Sequence, residues 1–321
     1  MDVNNNKLVE LNKPLITILV ITYNSSRYVL ETLESAKNQI YDNLELIITD
    51  DCSTDNTFEI CKKWIKENRN CFKNVKLVRP EKNRGIAGNC NHGLECCTGE
   101  WVKLIAGDDI LLPNCITEYQ KYTLSNEEWF LFSYPRILMD SVGEKERLKK
   151  EKAYTLRSGF FEMSSADQLS FMIINGLPMS ASTFFFKNSE LKKLGGFDES
   201  FIQEDRPLYM KLTSLGFRLG NVPLQLVSYR IHPENISTKN KKNTPVNEFW
   251  FRNVHKVVKQ YVGLSLLLSR PLVFIEYYNK FLVNSLTLAF GNTYSVFRII
   301  RKFRWLSPLY FREKLKIKNF E

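Results

Sequence analysis

Leu15–Thr22 reads LITILVIT, a continuous apolar and β-branched run held between Pro14 and Asn24. It is too short for a buried helix and lacks the polar alternation of a half-solvated strand, so it predicts a strand covered on both faces. The chain around it repeats one pattern. Ser25 or Ser26 is placed to cap a helix in which Val29, Leu33, Ala36 and Ile40 recur at helical spacing. Leu44–Thr49 is a second buried strand, and Asp55 is placed to cap a second helix with Phe58, Cys61 and Ile65 on one face. Val75–Arg79, a helix opening at Gly85–Leu94, and Trp101–Ile105 follow, the last leading into Gly107-Asp108-Asp109. Strands alternating with helices predict an α/β fold with a mostly parallel sheet. In such sheets ligands bind beyond the carboxyl ends of the strands. Thr22-Tyr23-Asn24, Asp50-Asp51 and Asp108-Asp109 all stand just past strands, so they are expected along one edge. No GxGxxG follows the first strand, which disfavours a dinucleotide fold of the Rossmann type.

Beyond Pro113 the pattern is mixed. Strands are predicted at Trp129–Tyr134, Thr183–Phe186 and Leu224–Tyr229, and helices around Ala166–Ile174 and Pro207–Leu215. From about Pro245 the periodicity is helical and apolar with basic flanks, as in a helical C-terminal appendage. The expected divisions are 1–13, 14–112, 113–237 and 238–321.

The chain has 321 residues, 44% of them hydrophobic, and a net charge of +10. Such a composition suits a globular protein with an anionic partner. Basic residues crowd Lys145–Lys152 and the tail from Arg298, where Phe297, Phe303, Trp305, Tyr310 and Phe311 interleave with them. That mixture suits an anionic membrane surface better than a nucleic-acid groove. The apolar stretch Tyr261–Phe290 is broken by Arg270, Pro271, Glu276 and Lys280, short of the roughly 20 residues a spanning helix needs. The polar N-terminus does not read as a signal peptide. Seven cysteines without a CxxC pair, and with only three histidines, argue against zinc and against a disulfide scaffold, and suit a reducing cytoplasm.

Six motifs, in order, carry a resemblance. They are Ile21-Thr22-Tyr23-Asn24, Asp50–Thr57, Asn83-Arg84-Gly85 with Asn91 and Gly93, Gly107-Asp108-Asp109, Gly195–Glu199 followed by Glu204-Asp205, and Tyr229-Arg230-Ile231-His232. From about Pro14 to Ser237 the chain resembles the inverting glycosyltransferases of family 2, of bacterial surface-polysaccharide type. The resemblance implies a GT-A fold in which 14–112 binds a nucleotide-sugar and 113–237 an acceptor. It points Asp51 at the nucleobase, with Tyr23 placed to stack on it. Thr22, Asn24, Asn83 and Arg84 then belong to the nucleotide site, Arg84 toward a phosphate and Gly85 allowing close backbone approach. Gly107-Asp108-Asp109 stands where the family has its metal-binding DxD. That implies Asp109 as the direct ligand of Mn²⁺ or Mg²⁺, Asp108 nearer the ribose, and a metal or diphosphate role for His232. Asp205 is implied as the base that deprotonates the acceptor hydroxyl, with Glu204 orienting it; on spacing alone the pair also serves as an acidic cap for the helix at Pro207.

Processive relatives carry QxxRW soon after the base, and none follows Asp205. Arg301–Trp305 looks similar but lies far downstream. Transfer of a single hexosyl or N-acetylhexosaminyl unit is therefore expected, to a glycan or lipid-linked acceptor on the inner membrane face. The rival classes are a sugar nucleotidyltransferase, disfavoured because Thr22–Arg27 holds no glycine, and an inactive nucleotide-sugar sensor, disfavoured by the presence of both Asp109 and Asp205.

Overall fold

The computed structural model describes residues 13–139, 147–148, 151–152, 158–232, 235, 247–263 and 269–301. Lys145, Lys149 and Lys150 of the basic cluster, the N-terminal extension to residue 12 and the tail from 302 lie outside them. The first half runs β1 (Ile16–Thr22), α1 (Val29–Lys37), β2 (Leu44–Asp50), α2 (Thr57–Asn68), β3 (Asn74–Val78), α3 (Gly85–Cys96) and β4 (Trp101–Ala106). The second runs β5 (Ile110–Leu111), α4 (Cys115–Thr123), β6 (Phe130–Met139), α5 (Ser165–Asn175), β7 (Phe185–Lys187), α6 (Asn188–Lys193), α7 (Asp205–Ser214) and β8 (Leu219–Ile231). Three helices close the described chain: α8 (Glu248–Tyr261), α9 (Pro271–Ala289) and α10 (Tyr294–Arg301).

One eight-stranded sheet, ordered β3-β2-β1-β4-β7-β6-β8-β5, organises the molecule. β1 pairs in parallel with both β2 and β4, β2 with β3, and β6 with β8. β7 runs antiparallel to β4 and β6, and β5 antiparallel to β8. The unbroken apolar character of β1 has a direct cause, because its two faces feed two separate cores. Leu19, Ile47, Val102 and Leu104 pack with α3, α5 and α7. Ile18, Val20, Ile48 and Ile105 pack with α1, α2 and α4.

Boundaries in the second half depart from expectation. β6 continues past Tyr134 through Pro135, and β8 begins before Pro223. The β6–β8 register shifts at Ser133/Tyr134 and Tyr134/Pro135, opposite the Val222-to-Gln225 skip. Both prolines thus sit where the ladder is already broken, the place in a sheet that tolerates a missing N–H. Ala181–Thr183 forms a 3₁₀ turn rather than the start of β7. Ile40 lies beyond the end of α1 and is exposed, not on its buried face.

The C-terminal helices are more than an appendage. Val257, Val258, Val262 and Tyr277 share the core of Met172, Leu208 and Leu212. Each such buried side chain contributes roughly 1.5–3 kcal/mol. Removal of everything after Pro245 would therefore open the core. All seven cysteines are free thiols. Among the described residues no helix is long and apolar enough to cross a membrane.

Candidate active site

Strand register brings the polar strand ends together. Thr22 stands beside Asp50, and Ile21 stands beside both Thr49 and Ala106, so the loops after β1, β2 and β4 leave the sheet side by side. The first two are laced to each other. Asn24 Oδ1 accepts from the Thr54 N–H at 2.8 Å, the Asn24 N–H donates to Ser53 Oγ at 2.8 Å, and the Ser26 N–H donates to Asp55 Oδ2 at 3.1 Å. Asp55 also accepts from the Thr57 N–H at 3.0 Å, which ties down the start of α2 from one residue before its N-cap, Asn56. No side chain caps α1; the Ser25 carbonyl instead accepts from the N–H groups of Tyr28 and Val29, both at 2.9 Å.

Asp50 is fully buried and committed to this scaffold, accepting from Thr22 Oγ1 at 3.1 Å and from the Ser53 N–H at 3.0 Å. Asp51 is buried too, and its Oδ1 accepts from the Arg84 N–H at 2.7 Å. Burial pushes its carboxyl up from the ordinary range, and the N–H groups of Arg84 and Gly85 pull the other way. Asn83 Nδ2 donates to the Asp51 carbonyl at 2.9 Å. Thr22, Asn24 and Asn83 therefore shape the slot. Tyr23 is 51% exposed on the rim, so its ring face is open to a planar ligand.

Arg84 and Gly85 border the slot. The Arg84 guanidinium pairs with Glu199 at 2.7 Å. Gly85 takes a φ of +73°, a backbone conformation that favours glycine, and the space where a Cβ would stand is open.

The two aspartates after β4 have opposite surroundings. Asp109 is 2% exposed; its Oδ1 accepts from the Arg230 N–H at 2.8 Å and its carbonyl from Thr32 Oγ1 at 2.7 Å. Burial drives its carboxyl well above the ordinary range, and the neighbouring Asp108 charge adds to this. Asp108 is more open. Its Oδ2 lies 3.0 Å from His232 Nε2 and accepts from Asn235 Nδ2 at 3.3 Å, while its carbonyl accepts from Arg230 Nε at 2.9 Å. The order of accessibility is the reverse of the one the resemblance implies.

Arg230 and Tyr28 hold this corner. The Arg230 guanidinium bonds Glu31 Oε2 at 2.6 Å and lies 4.5 Å from the Tyr28 ring centre, and His232 packs on the same ring at 4.8 Å. Sequence reading gave Tyr28 no part, and no motif marks it. Arg230 stands inside a motif, but its packing role is visible only in three dimensions.

A carboxylate oxygen and an imidazole nitrogen 3.0 Å apart have the spacing of adjacent corners of an octahedron with arms of about 2.1 Å. His232 Nδ1 is buried without a hydrogen-bond partner among the described residues, which leaves the ring free to be re-seated by a ligand. No group of three His, Cys, Asp or Glu side chains converges among the described residues. The donor set fits Mg²⁺ or Mn²⁺ completing its shell with phosphate oxygens and water, not a closed zinc site.

Glu204 and Asp205 open α7, both partly buried. Neither side chain caps the helix: Glu204 makes no capping bond, and Asp205 Oδ1 accepts from the adjacent Arg206 N–H at 2.6 Å. Burial, then the Asp205 charge, pushes the Glu204 carboxyl up to about 8, and burial raises Asp205 as well. At neutral pH Glu204 is therefore mostly protonated. The buried Cys90 thiol of α3 is raised by burial and also by the charges of Glu204 and Asp51, so both carboxyls approach the same stretch of α3.

Comparison with known proteins agrees with this architecture. Residues 17–177 match the family model described as Glycosyl transferase family 2. Putative glycosyltransferase EpsE of Bacillus subtilis (strain 168) is 24% identical over 72% of this chain and 77% of its own length. The UDP-Glc:alpha-D-GlcNAc-diphosphoundecaprenol beta-1,3-glucosyltransferase WfaP of Escherichia coli is 27% identical over 71% of this chain and 82% of its own. Among solved structures, mannosyltransferase PcManGT from Pyrobaculum calidifontis in complex with GDP-Man and Mn²⁺ superposes with a TM-score of 0.60 at 18% identity, over 92% of this chain and 81% of that one. S. aureus TarS 1–349 in complex with UDP-GlcNAc does so with a TM-score of 0.57 at 20% identity, over 83% of this chain and 72% of that one. At these identities the structural likeness establishes the fold, GT-A, which is the fold the motifs implied.

Proposed function

The chain belongs to glycosyl transferase family 2 and is a glycosyltransferase, and from that premise we propose that it transfers a single hexosyl or N-acetylhexosaminyl unit, with inversion, from a UDP-sugar to a glycan or lipid-linked acceptor. The observation that carries the reading is the placement of Asp108 with His232 on the same sheet edge as the slot of Tyr23 and Asp51. The first pair suits a diphosphate with a divalent ion, and the second suits a base. Tyr23 stacks on the base, and Asp51 accepts from a ring N–H. Asp108 and His232 hold the metal, and buried Asp109 fixes Arg230, which in turn holds Asp108 by its carbonyl. This exchanges the roles that the resemblance alone gave the two aspartates. A divalent ion bound there offsets the charge that grows on the leaving diphosphate.

Asp205 takes the proton of the attacking acceptor hydroxyl. Glu204, protonated at neutral pH, leaves that charge on its neighbour and orients it. WfaP is named for a diphosphoundecaprenol acceptor, and a lipid-linked acceptor of this kind, in surface-polysaccharide assembly, suits the present chain. Leu272, Ile275, Tyr278 and Leu282 form an exposed apolar row on α9. With the +10 net charge, that row suits docking on an anionic membrane face.

The test is a panel of UDP-sugars incubated with the protein and Mn²⁺ while UDP release is followed. Slow release from one donor is expected, abolished by EDTA and reduced at least about a hundredfold in Asp205→Asn, with UDP binding retained. Full release in EDTA sinks the metal role, and substantial release by Asp205→Asn sinks the base.

A further inference from the structure

Arg84 and Glu199 are 115 positions apart in sequence, yet they join the two ends of the proposed site. We propose that they form a positioning link carrying the occupancy of the base slot to the loop that bears Glu204 and Asp205. The proposal rests on the reading of Asp51 as the contact to the nucleobase.

Four bonds trace the link. Asp51 Oδ1 accepts from the Arg84 N–H at 2.7 Å. The Arg84 guanidinium donates to Glu199 Oε1 at 2.7 Å, and Asn91 Nδ2 of α3 donates to the same oxygen at 2.9 Å. The Phe197 N–H donates to Asn91 Oδ1 at 2.9 Å. Asn91 also donates to the Phe197 carbonyl at 2.8 Å, so the backbone of this loop is clipped to α3 in both directions. Gly196 makes the clip possible: its φ is +69°, and a Cβ there would stand 2.5 Å from Asn91 Oδ1.

The far side of the loop is held by α8. Gln260 Nε2 donates to Asp198 Oδ2 at 2.8 Å, Tyr261 Oη donates to the same oxygen, and Lys256 Nζ donates to the Ser200 carbonyl at 2.6 Å. The segment from Phe197 to Ser200 is thus pinned between α3 and α8, five residues ahead of the base. Of its pins, only the Arg84–Glu199 pair begins at a residue whose own backbone bonds Asp51. When Asp51 turns to accept from a base, the Arg84 backbone must follow, and with it the guanidinium that grips Glu199. Arg84 lies 30% exposed and Glu199 41%, so the pair is solvated enough to break and re-form without disturbing the core.

Hydrogen–deuterium exchange on the full chain, with and without UDP and Mn²⁺, tests the link. In the wild type UDP should slow exchange at 83–86 and, roughly tenfold, at 195–206, a coupling of ordinary allosteric size. Glu199→Ala should keep the response at 83–86 and lose it at 195–206. By reciprocity its UDP affinity should fall by the same factor, although Glu199 lies on the far side of Arg84 from the slot. Glu199→Gln, which keeps an acceptor for Arg84 and Asn91, should restore part of the response, and melting temperatures should match. Equal protection of 195–206 in wild type and Glu199→Ala overturns the link, as does a wild-type response confined to 83–86. Absence of any UDP response in the wild type refutes the nucleotide slot itself, and the link with it.

Discussion

Glu204 and Asp205 are adjacent carboxyls, and the different roles proposed for them follow from their surroundings. Burial is the largest influence on both, but the Arg206 charge and N–H bond offset it at Asp205, whereas the Asp205 charge adds to it at Glu204 and lifts that carboxyl to about 8. A carboxyl raised on folding contributes most to stability below its unfolded value near 4.5, and that contribution is lost as pH rises through about 8. Thermal stability should therefore fall as pH rises from about 4.5 to about 8, and Glu204→Gln should flatten that fall by a few degrees. Parallel melting curves for the two proteins would contradict the shift. At this scale the sequence was a partial guide. Asp51, Asp108, Asp205 and His232 stood out by their places after strands or within motifs. Which of Asp108 and Asp109 is open to a ligand did not, because it depends on Arg230, more than a hundred positions away, and on Tyr28, an ordinary aromatic in sequence.

Among the elements, β4 carries the least expected side chain. Lys103 is fully buried, and its ammonium donates to the carbonyls of Leu104 and Ser182 at 2.6 Å and of Phe184 at 3.3 Å. It stitches β4 to the 3₁₀ turn before β7, and burial brings its pKa down to about 8. Truncation leaves those carbonyls without their donor and opens a void. Lys103→Ala should thus cost on the order of 3 kcal/mol, read as a lower urea midpoint; an unchanged midpoint would show that the stitch is dispensable. The elements of the first half were legible because β1, β2 and β4 are buried on both faces and their runs are mostly apolar, with Glu45 and Lys103 charged exceptions inside them. Those of the second half were not, since Pro135 and Pro223 look like strand ends when read singly. Only the pairing of β6 with β8 reveals that they share one bulge.

For the whole molecule, Phe290, just past the end of α9, and Tyr294 and Ile299 of α10 are at least half exposed, as is Leu282 of the α9 row. If this face meets an anionic bilayer, a Leu282→Ser, Phe290→Ser, Ile299→Ser variant should sediment several-fold less with acidic liposomes, since burying each such side chain is worth roughly 1.5–3 kcal/mol. Unchanged sedimentation would remove the face from the account. Point substitutions are the right tool, because Val257, Val262 and Tyr277 bind these helices to the main core and truncation would damage it.

We propose that Asp108 and His232 would hold a divalent ion against the diphosphate of a bound nucleotide. Titration of Mn²⁺ in the presence of UDP, followed by the electron paramagnetic resonance signal of the free ion, addresses it without needing an acceptor. One Mn²⁺ should be taken up per chain when UDP is present, and Asp108→Asn should weaken that uptake at least about tenfold. Equal uptake by Asp108→Asn and the wild type, or no effect of UDP on uptake, would contradict the account.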